Sequence, residues 1–335
     1  MIRMTPKERL EARLAGKPVD KIPNMNIFMS IIAREAGVSY REYVLDYRHL
    51  VKGNLVCAEK YGLDSVGVIS ESRETAAYGS CVIYPEDASP YADPLLIGDD
   101  HDLSKLIRFD PLENERTLDR VKGCELLHEK AGADYPVIGW IEGCLAQAAE
   151  LRGVSELMMD LAEDEPYLED LLPLLHEQQK RFAKAQIDAG ADIMGVGNAV
   201  SSLVGPRLYG QYGVFWDKAI TEYIHGLGAK VKLHICGNIT AILPLIKDVQ
   251  ADILDIDWMV DFGAAAKFLE GSKTAANGNI NPVSFMQCGP GELERLVKRC
   301  IEAGTATTLI SGGCEIPSAA PDENLLLMDR LLYRQ

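Results

Sequence analysis

His234 and Cys236 stand one residue apart at the end of the run Lys230–Ile235. In an extended strand alternate side chains project to the same side, so an imidazole nitrogen and a thiolate sulfur can converge on one point. Zn²⁺ accepts that mixture at about 2.0–2.3 Å, and catalytic sites use three protein ligands and leave a fourth position open. Cys314, far along the chain in Gly312-Gly313-Cys314, is the best third ligand, because the two glycines let the backbone approach closely. The same pair also fits a buried histidine beside an inert core thiol, the usual fate of a free cysteine.

Carboxylates and amides near such a centre would complete the chemistry. Glu142 follows an apolar strand and can serve as a fourth ligand, as a partner to a ligand or as an acid/base group. The plainer alternative is a carboxylate that favours the next helix's N-terminus. Asp255 and Asp257 share a strand face; one can orient a ligand, or both can cap the loop. Asp257 and Asn198 are the weaker candidates for positioning a substrate. His49, His101, His128, His176 and His225 fall on helical stretches or in an irregular segment and read as surface residues. Cys57, Cys81, Cys124, Cys288 and Cys300 read as structural thiols, and Cys144 as a packing residue at a helix start.

These residues need a scaffold. Thr5-Pro6-Lys7-Glu8 has the signature of a capped helix start. After it, apolar runs alternate with stretches of helical period, the pattern of a parallel sheet with crossover helices. The predicted strands are Pro23–Ile27, Ser65–Ile69, Pro136–Ile141, Asp192–Val196, Lys230–Ile235, Asp252–Asp257, Lys273–Gly278 and Ala306–Ser311. Predicted helices include Tyr40–Tyr61, Glu113–Ala131, Pro166–Ala189, Leu208–Leu227, Ile239–Val249, Phe262–Leu269 and Gly291–Ala303. Eight such units predict an α/β fold, a single (β/α)₈ TIM barrel over residues 1–335, with an insertion at about 71–110 after the second strand. An open doubly wound sheet is the alternative, but no glycine-rich phosphate loop opens its first helix. In barrels reactive groups gather at the C-terminal strand ends, where Glu142, Asn198, His234, Cys236, Asp257 and Cys314 all fall.

The chain has 335 residues with 34 basic and 50 acidic side chains, a formal charge of −16. That excess opposes binding to nucleic acid or to an anionic membrane. No stretch reaches the roughly 20 apolar residues that span a bilayer, and the N-terminus lacks an apolar signal core, so a cytoplasmic protein with reduced cysteines is expected.

At these residues the chain resembles the uroporphyrinogen decarboxylase superfamily, and within it the zinc-dependent cobamide methyltransferases. The pieces that carry the likeness are Trp140–Gly153 (WIEGCLAQAAELRG), His234–Asn238 (HICGN), Asp255–Asp261 (DIDWMVD), Asn277–Pro282 (NGNINP) and Gly312–Pro317 (GGCEIP). The resemblance implies a (β/α)₈ barrel with Zn²⁺ on His234, Cys236 and Cys314. It also implies a separate corrinoid protein as partner, since no corrinoid-binding module is visible. Two directions follow from it. A methyl group can pass from a small O-methylated donor, such as an aryl methyl ether, to cobalt(I). Alternatively it passes from a methylated corrinoid to a thiol such as coenzyme M. Glu142–Gly153 (EGCLAQAAELRG) looks more like the demethylase-type enzymes, so the first direction is the expectation. Decarboxylation of a porphyrinogen is opposed by the first-strand region, PNMNIFMSIIAREAG, which carries only Arg34 where decarboxylases grip a polycarboxylate with several arginines. A zinc-binding barrel without turnover is the remaining reading, and three ligands with an open position speak against it.

Overall fold

In the computed structural model, which describes residues 3–333, seven parallel strands form one curled sheet. In chain order the strands are β1 (Val66–Gly67), β2 (Val82–Ile83), β3 (Tyr91–Ala92), β4 (Val137–Glu142), β5 (Ile193–Gly197), β6 (Lys230–His234), β7 (Ile253–Ile256), β8 (Ala275–Ile280) and β9 (Leu309–Gly312). The large sheet runs β1-β4-β5-β6-β7-β8-β9, while β2 and β3 make a separate antiparallel hairpin. Helices 115–131, 168–188, 214–226, 243–247, 262–269 and 290–303 follow successive strands or the insertion, as crossovers between parallel strands must.

The ring closes through the first predicted strand, although that stretch is not a regular one. Asn24 bridges Ile310 of β9 in parallel, and on the other side its carbonyl accepts the Asp64 amide at 2.9 Å. Eight regular strands were expected and the structure has seven in the sheet. The reason is local: Pro23 has no N–H, the Asn24 amide donates to the Asp64 carboxylate at 2.7 Å, and the Asn26 amide donates to the Asn24 side chain at 3.3 Å. β1 is short for a similar reason, its Gly67 amide being taken by the Asn54 side chain at 3.0 Å. The remaining six strands lie within three residues of the predicted bounds.

Helix bounds moved more. Tyr40–Tyr61 is two helices, Tyr40–Leu45 and Tyr47–Tyr61, because Asp46 turns extended and caps the second through the Arg48 amide. Leu208–Leu227 starts instead with a kinked helix, Ser201–Leu208, broken at Gly205-Pro206 and followed by a wide turn before Val214–Gly226. Of Ile239–Val249 only Leu243–Lys247 is helical. The insertion holds a short helix, Arg73–Ala77, and then the β2–β3 hairpin.

The barrel interior is stratified, which decides where chemistry can occur. Its lower layer is apolar: Met25, Ile193, Ile253 and Leu309 pack together with Leu10 from the N-terminal helix Pro6–Leu14. That helix carries the expected capping box, with Thr5 Oγ1 accepting the Glu8 amide at 3.2 Å and Glu8 Oε2 accepting the Thr5 amide at 2.9 Å. Arg9 on the same helix reaches Asp20 at 2.7 Å and the fully buried Asp64, while Lys21 bridges Asp64 and Asp329, each at 2.9 Å. Burying Leu10 is worth about 2–3 kcal/mol. The upper layer is polar, with Trp140 and Glu142 of β4, Lys232 and His234 of β6, Asp255 of β7 and Asn277 of β8 turned inward. No helix among the described residues is long and apolar enough to cross a membrane.

Candidate metal centre

His234, the last residue of β6, and Cys236 two residues on present their donors 3.1 Å apart, Nε2 to Sγ. Cys314 arrives from beyond β9. Its sulfur lies 3.4 Å from Cys236 Sγ and 3.7 Å from His234 Nε2. These three side chains are the one converged set of metal-type donors among the described residues. The gap between β6 and β9 is crossed because the turn after β9 folds back onto the end of β7. Gly313 donates its amide to the Ile280 carbonyl at 2.8 Å, and a Cβ there would sit 2.5 Å from the Trp258 backbone nitrogen. Only glycine fits that approach.

The ligand face of His234 is set from behind. Nδ1 lies 2.7 Å from Asp255 Oδ2, so Nδ1 carries the proton and Nε2 is left as the donor toward the sulfurs. Asp255 is itself held by Asn277 Nδ2 at 2.7 Å and by the buried Lys232 ammonium, which pairs with Oδ2. Burial would raise the Asp255 carboxyl, but the Lys232 and His234 charges and the amide of Asn277 hold it well below the usual carboxylate range. Asp257 spans the adjacent loop: Oδ2 accepts the Gly237 amide and Oδ1 the Met259 amide, both at 3.0 Å. It therefore fixes the residue next to Cys236.

The protonation of the trio reflects how tightly it is packed. The Cys314 thiol is drawn down to about 4 by the hydrogen bond from Cys236, against burial, with His234 adding to the effect. Cys236 is pushed upward by Cys314 and by burial. Burial lowers His234, yet Asp255 and Cys314 raise it to about 9. Two sulfurs and a ring nitrogen forced this close compete for protons that a divalent cation would displace. One imidazole and two thiolates are a zinc-type donor set, and the residues present fit that ion.

Glu142 ends β4 but stands outside the trio. Its Oε1 accepts the Trp140 indole at 3.0 Å and faces Arg73 at 3.5 Å. Burial raises its carboxyl to about 7, with Arg73 opposing and Glu74 assisting. The side chain leans across β5, where a Cβ at Gly197 would lie 2.6 Å from Glu142 Oε2. Register places Glu142 and His234 on either side of Gly197. Asn198 is fully buried and gives its amide hydrogens to the two oxygens of Asp217, at 2.8 and 2.9 Å.

Cys144 packs as expected, buried and donating to Gln179 Oε1 at 3.1 Å. Among the histidines assigned to the surface, His176 is instead buried, 3.4 Å from Gln179 Oε1, and burial lowers its basicity. The helix that carries it faces inward at that position. Arg73, Glu74, Glu150 and Lys232 were missed. Lys232 was findable, since it shares the inward strand face with His234 two residues on. The other three carry no such signal, because they come from the insertion and from the helix after β4.

Comparison with known proteins fits this geometry. A (β/α)₈ barrel with a cysteine- and histidine-lined mouth defines the class, and the chain belongs to the uroporphyrinogen decarboxylase (URO-D) family, whose model matches residues 5–332. The chain is 26% identical over 339 residues to "Methylcobamide:CoM methyltransferase MtaA" of Methanosarcina barkeri, covering 97% of this chain and 96% of that protein. It is 27% identical to "Methylcobamide:CoM methyltransferase MtbA" of Methanosarcina mazei, covering 98% and 97%. A solved "methyltransferase from Methanosarcina mazei" superposes with a TM-score of 0.87 at 23% identity over 98% of both chains, which supports the barrel. Relatives named for a methylcobamide donor and coenzyme M favour the thiol direction over the O-demethylase direction that Glu142–Gly153 suggested.

Proposed function

We propose that this protein is a zinc-dependent methyltransferase that moves a methyl group from a methylated corrinoid, carried by a separate protein, to a small thiol. His234, Cys236 and Cys314 would hold the zinc. The observation that carries the reading is the convergence of their three donor atoms at 3.1–3.7 Å at the mouth of the barrel. Bound there, the ion supplies the means to keep a thiol deprotonated at neutral pH. Support for the direction comes from the names of the full-length relatives.

The chain's own residues then have definite tasks. Asp255 holds His234 in one tautomer, and Lys232 with Asn277 holds Asp255. Glu142, titrating near 7 and leaning over Gly197, is placed to take the thiol proton at Oε2. Asp257 and Asn198 position the substrate indirectly, through the loop and the helix that they tie down. The sulfur forms the new S–C bond, and the electron pair of the broken Co–C bond stays on cobalt.

Supplying methylated corrinoid with thiols, and cobalt(I) corrinoid with aryl methyl ethers, tests the direction through the cobalt spectrum. Formation of cobalt(I) with thiols is expected. Reaction only with the ethers would reverse it.

A further inference from the structure

Beside Glu142 lies a second group of ionisable side chains that the metal centre does not use. Arg73 and Glu74 come from the helix Arg73–Ala77 of the insertion, and Gln147 and Glu150 from the helix Cys144–Arg152 after β4. Glu74 Oε1 accepts the Glu142 amide at 3.0 Å, and the Arg73 guanidinium pairs with Glu74 at 3.1 Å and with Glu142 at 3.5 Å. Gln147 Nε2 donates to Thr75 Oγ1 at 2.9 Å, and Thr75 in turn donates to Glu150.

Two independent facts mark this cluster as short of positive charge and of a partner for Gln147, although Arg73 Nε is also buried there without a hydrogen bond. Glu74, Glu142 and Glu150 face a single guanidinium among the described residues. Gln147, 2% exposed, has a side-chain oxygen with no partner, although the amide is fixed beside Thr75 and Glu150. A buried acceptor without a donor is destabilising unless something fills the gap. Glu142 and Glu150 are partly exposed, whereas Glu74 and Gln147 are buried.

We propose that the small substrate carries a cationic amino group, bound by Glu150, Glu74 and Gln147 while its sulfur meets the metal site. This rests on the thiol-acceptor reading above. An ammonium brings the charge that the cluster lacks and an N–H donor for Gln147. Glu142, which borders the cluster, and His234 are separated by two strand spacings, about 10 Å, and the Glu142 carboxylate leans across the intervening Gly197. Burial, with the repulsion of Glu142 adding to it, raises Glu150 to about 8, the condition of a carboxylate group lacking a counter-ion. A sulfonate or carboxylate on the thiol would add a further anion here, which sets this cluster apart from one built for a sulfonated acceptor.

The test compares three sets of thiols on the metal-loaded enzyme with methylated corrinoid: aminothiols, hydroxythiols and sulfonated thiols, each with two, three and four methylenes. The expected result is a kcat/KM for an aminothiol about tenfold or more above its neutral counterpart. Glu150→Gln should abolish that preference, lowering kcat/KM for the aminothiols about tenfold more than for the hydroxythiols. Best turnover with a sulfonated thiol, or equal slowing of all three sets by Glu150→Gln, overturns the inference and leaves the thiol reading standing. If no thiol is methylated, the thiol reading fails. Calorimetric binding of n-propylammonium to the metal-free protein then decides the subsite alone. Binding with proton release that is lost in Glu150→Gln supports it, and no binding overturns it.

Discussion

His234 Nδ1 and Asp255 Oδ2 lie 2.7 Å apart on neighbouring strands, paired in register, and this contact decides which nitrogen of the ring faces the two sulfurs. A carboxylate behind a ligating histidine fixes its tautomer and raises its basicity. Asp255→Asn should therefore weaken zinc binding about 10–100-fold, read by competition with a chromophoric chelator. It should also lower stability by about 3–5 kcal/mol, because the buried Lys232 ammonium loses its counter-ion. Unchanged affinity in a folded variant would remove Asp255 from the metal site.

Cys314→Ala removes one of three donors held within 3.4–3.7 Å of the other two. Metal analysis of the purified variant should show zinc well below one equivalent while far-ultraviolet circular dichroism is retained. Near-stoichiometric zinc would mean that Cys314 is not a ligand.

Gly197→Ala is a test of Glu142 that leaves the carboxylate in the sequence. The added Cβ would fall 2.6 Å from Glu142 Oε2 and 3.1 Å from the Trp140 indole nitrogen, so the flexible carboxylate must swing away. The variant should fold and hold zinc, yet lose about a hundredfold in kcat/KM. Glu142→Gln should lose a comparable amount. In the wild type, kcat/KM should rise with pH through about 7 as Glu142 ionises, and that inflection should vanish in Glu142→Gln. A retained inflection would assign the proton step to another group.

Asp20 and Arg9 lock the N-terminal helix against the floor of the barrel. Burial would raise the Asp20 carboxyl, but the Arg9 hydrogen bond and charge and the Met4 amide bring it down to about 2 from 3.8. A depressed carboxylate stabilises the fold fully above its unfolded value and loses that contribution as pH falls from about 4 to 2. Asp20→Asn should cost about 2 kcal/mol in denaturant titrations at pH 7, with the gap to the wild type closing as pH approaches 2. A gap that stays constant with pH would mean that the charge is not what holds the lock.

Leu10→Ala tests the floor itself. The side chain fills the lower barrel layer with Met25, Ile193, Ile253 and Leu309, and its loss should cost about 2–5 kcal/mol while leaving the zinc content unchanged. Zinc loss at unchanged stability would contradict the layering.

Much of the site was legible before any coordinates. The period of two in Lys230–His234 put His234 beside Cys236, and the two donors meet at 3.1 Å. Asp255 and Asp257 were expected to share a face, and Asp255 lies on β7 while Asp257 falls just past the strand. Of the two candidates to orient a ligand, Asp255 is the one that contacts the His234 ring, while Asp257 binds the Gly237 and Met259 backbone amides. Helix interruptions at Asp46 and Gly205-Pro206 were harder to see, because a capping side chain or a proline acts through contacts as well as propensity.

What the amino-acid order determined by itself is local: strand faces, the capped N-terminal helix, the alternation that makes a barrel, and the donor types at its mouth. Such features depend on backbone periods and on neighbours a few residues away, which a one-dimensional string retains. Tertiary structure alone decided that Cys314 closes to within 3.4 Å of Cys236, that the first predicted strand makes an isolated bridge to β9 at Asn24, with Pro23 and Met25 bonded to Ile310, and that His176 is buried. It also brought Arg73, Glu74 and Glu150 against Glu142. Those outcomes depend on strand order, ring closure and competition for each backbone amide, and such terms join residues that the chain itself keeps far apart.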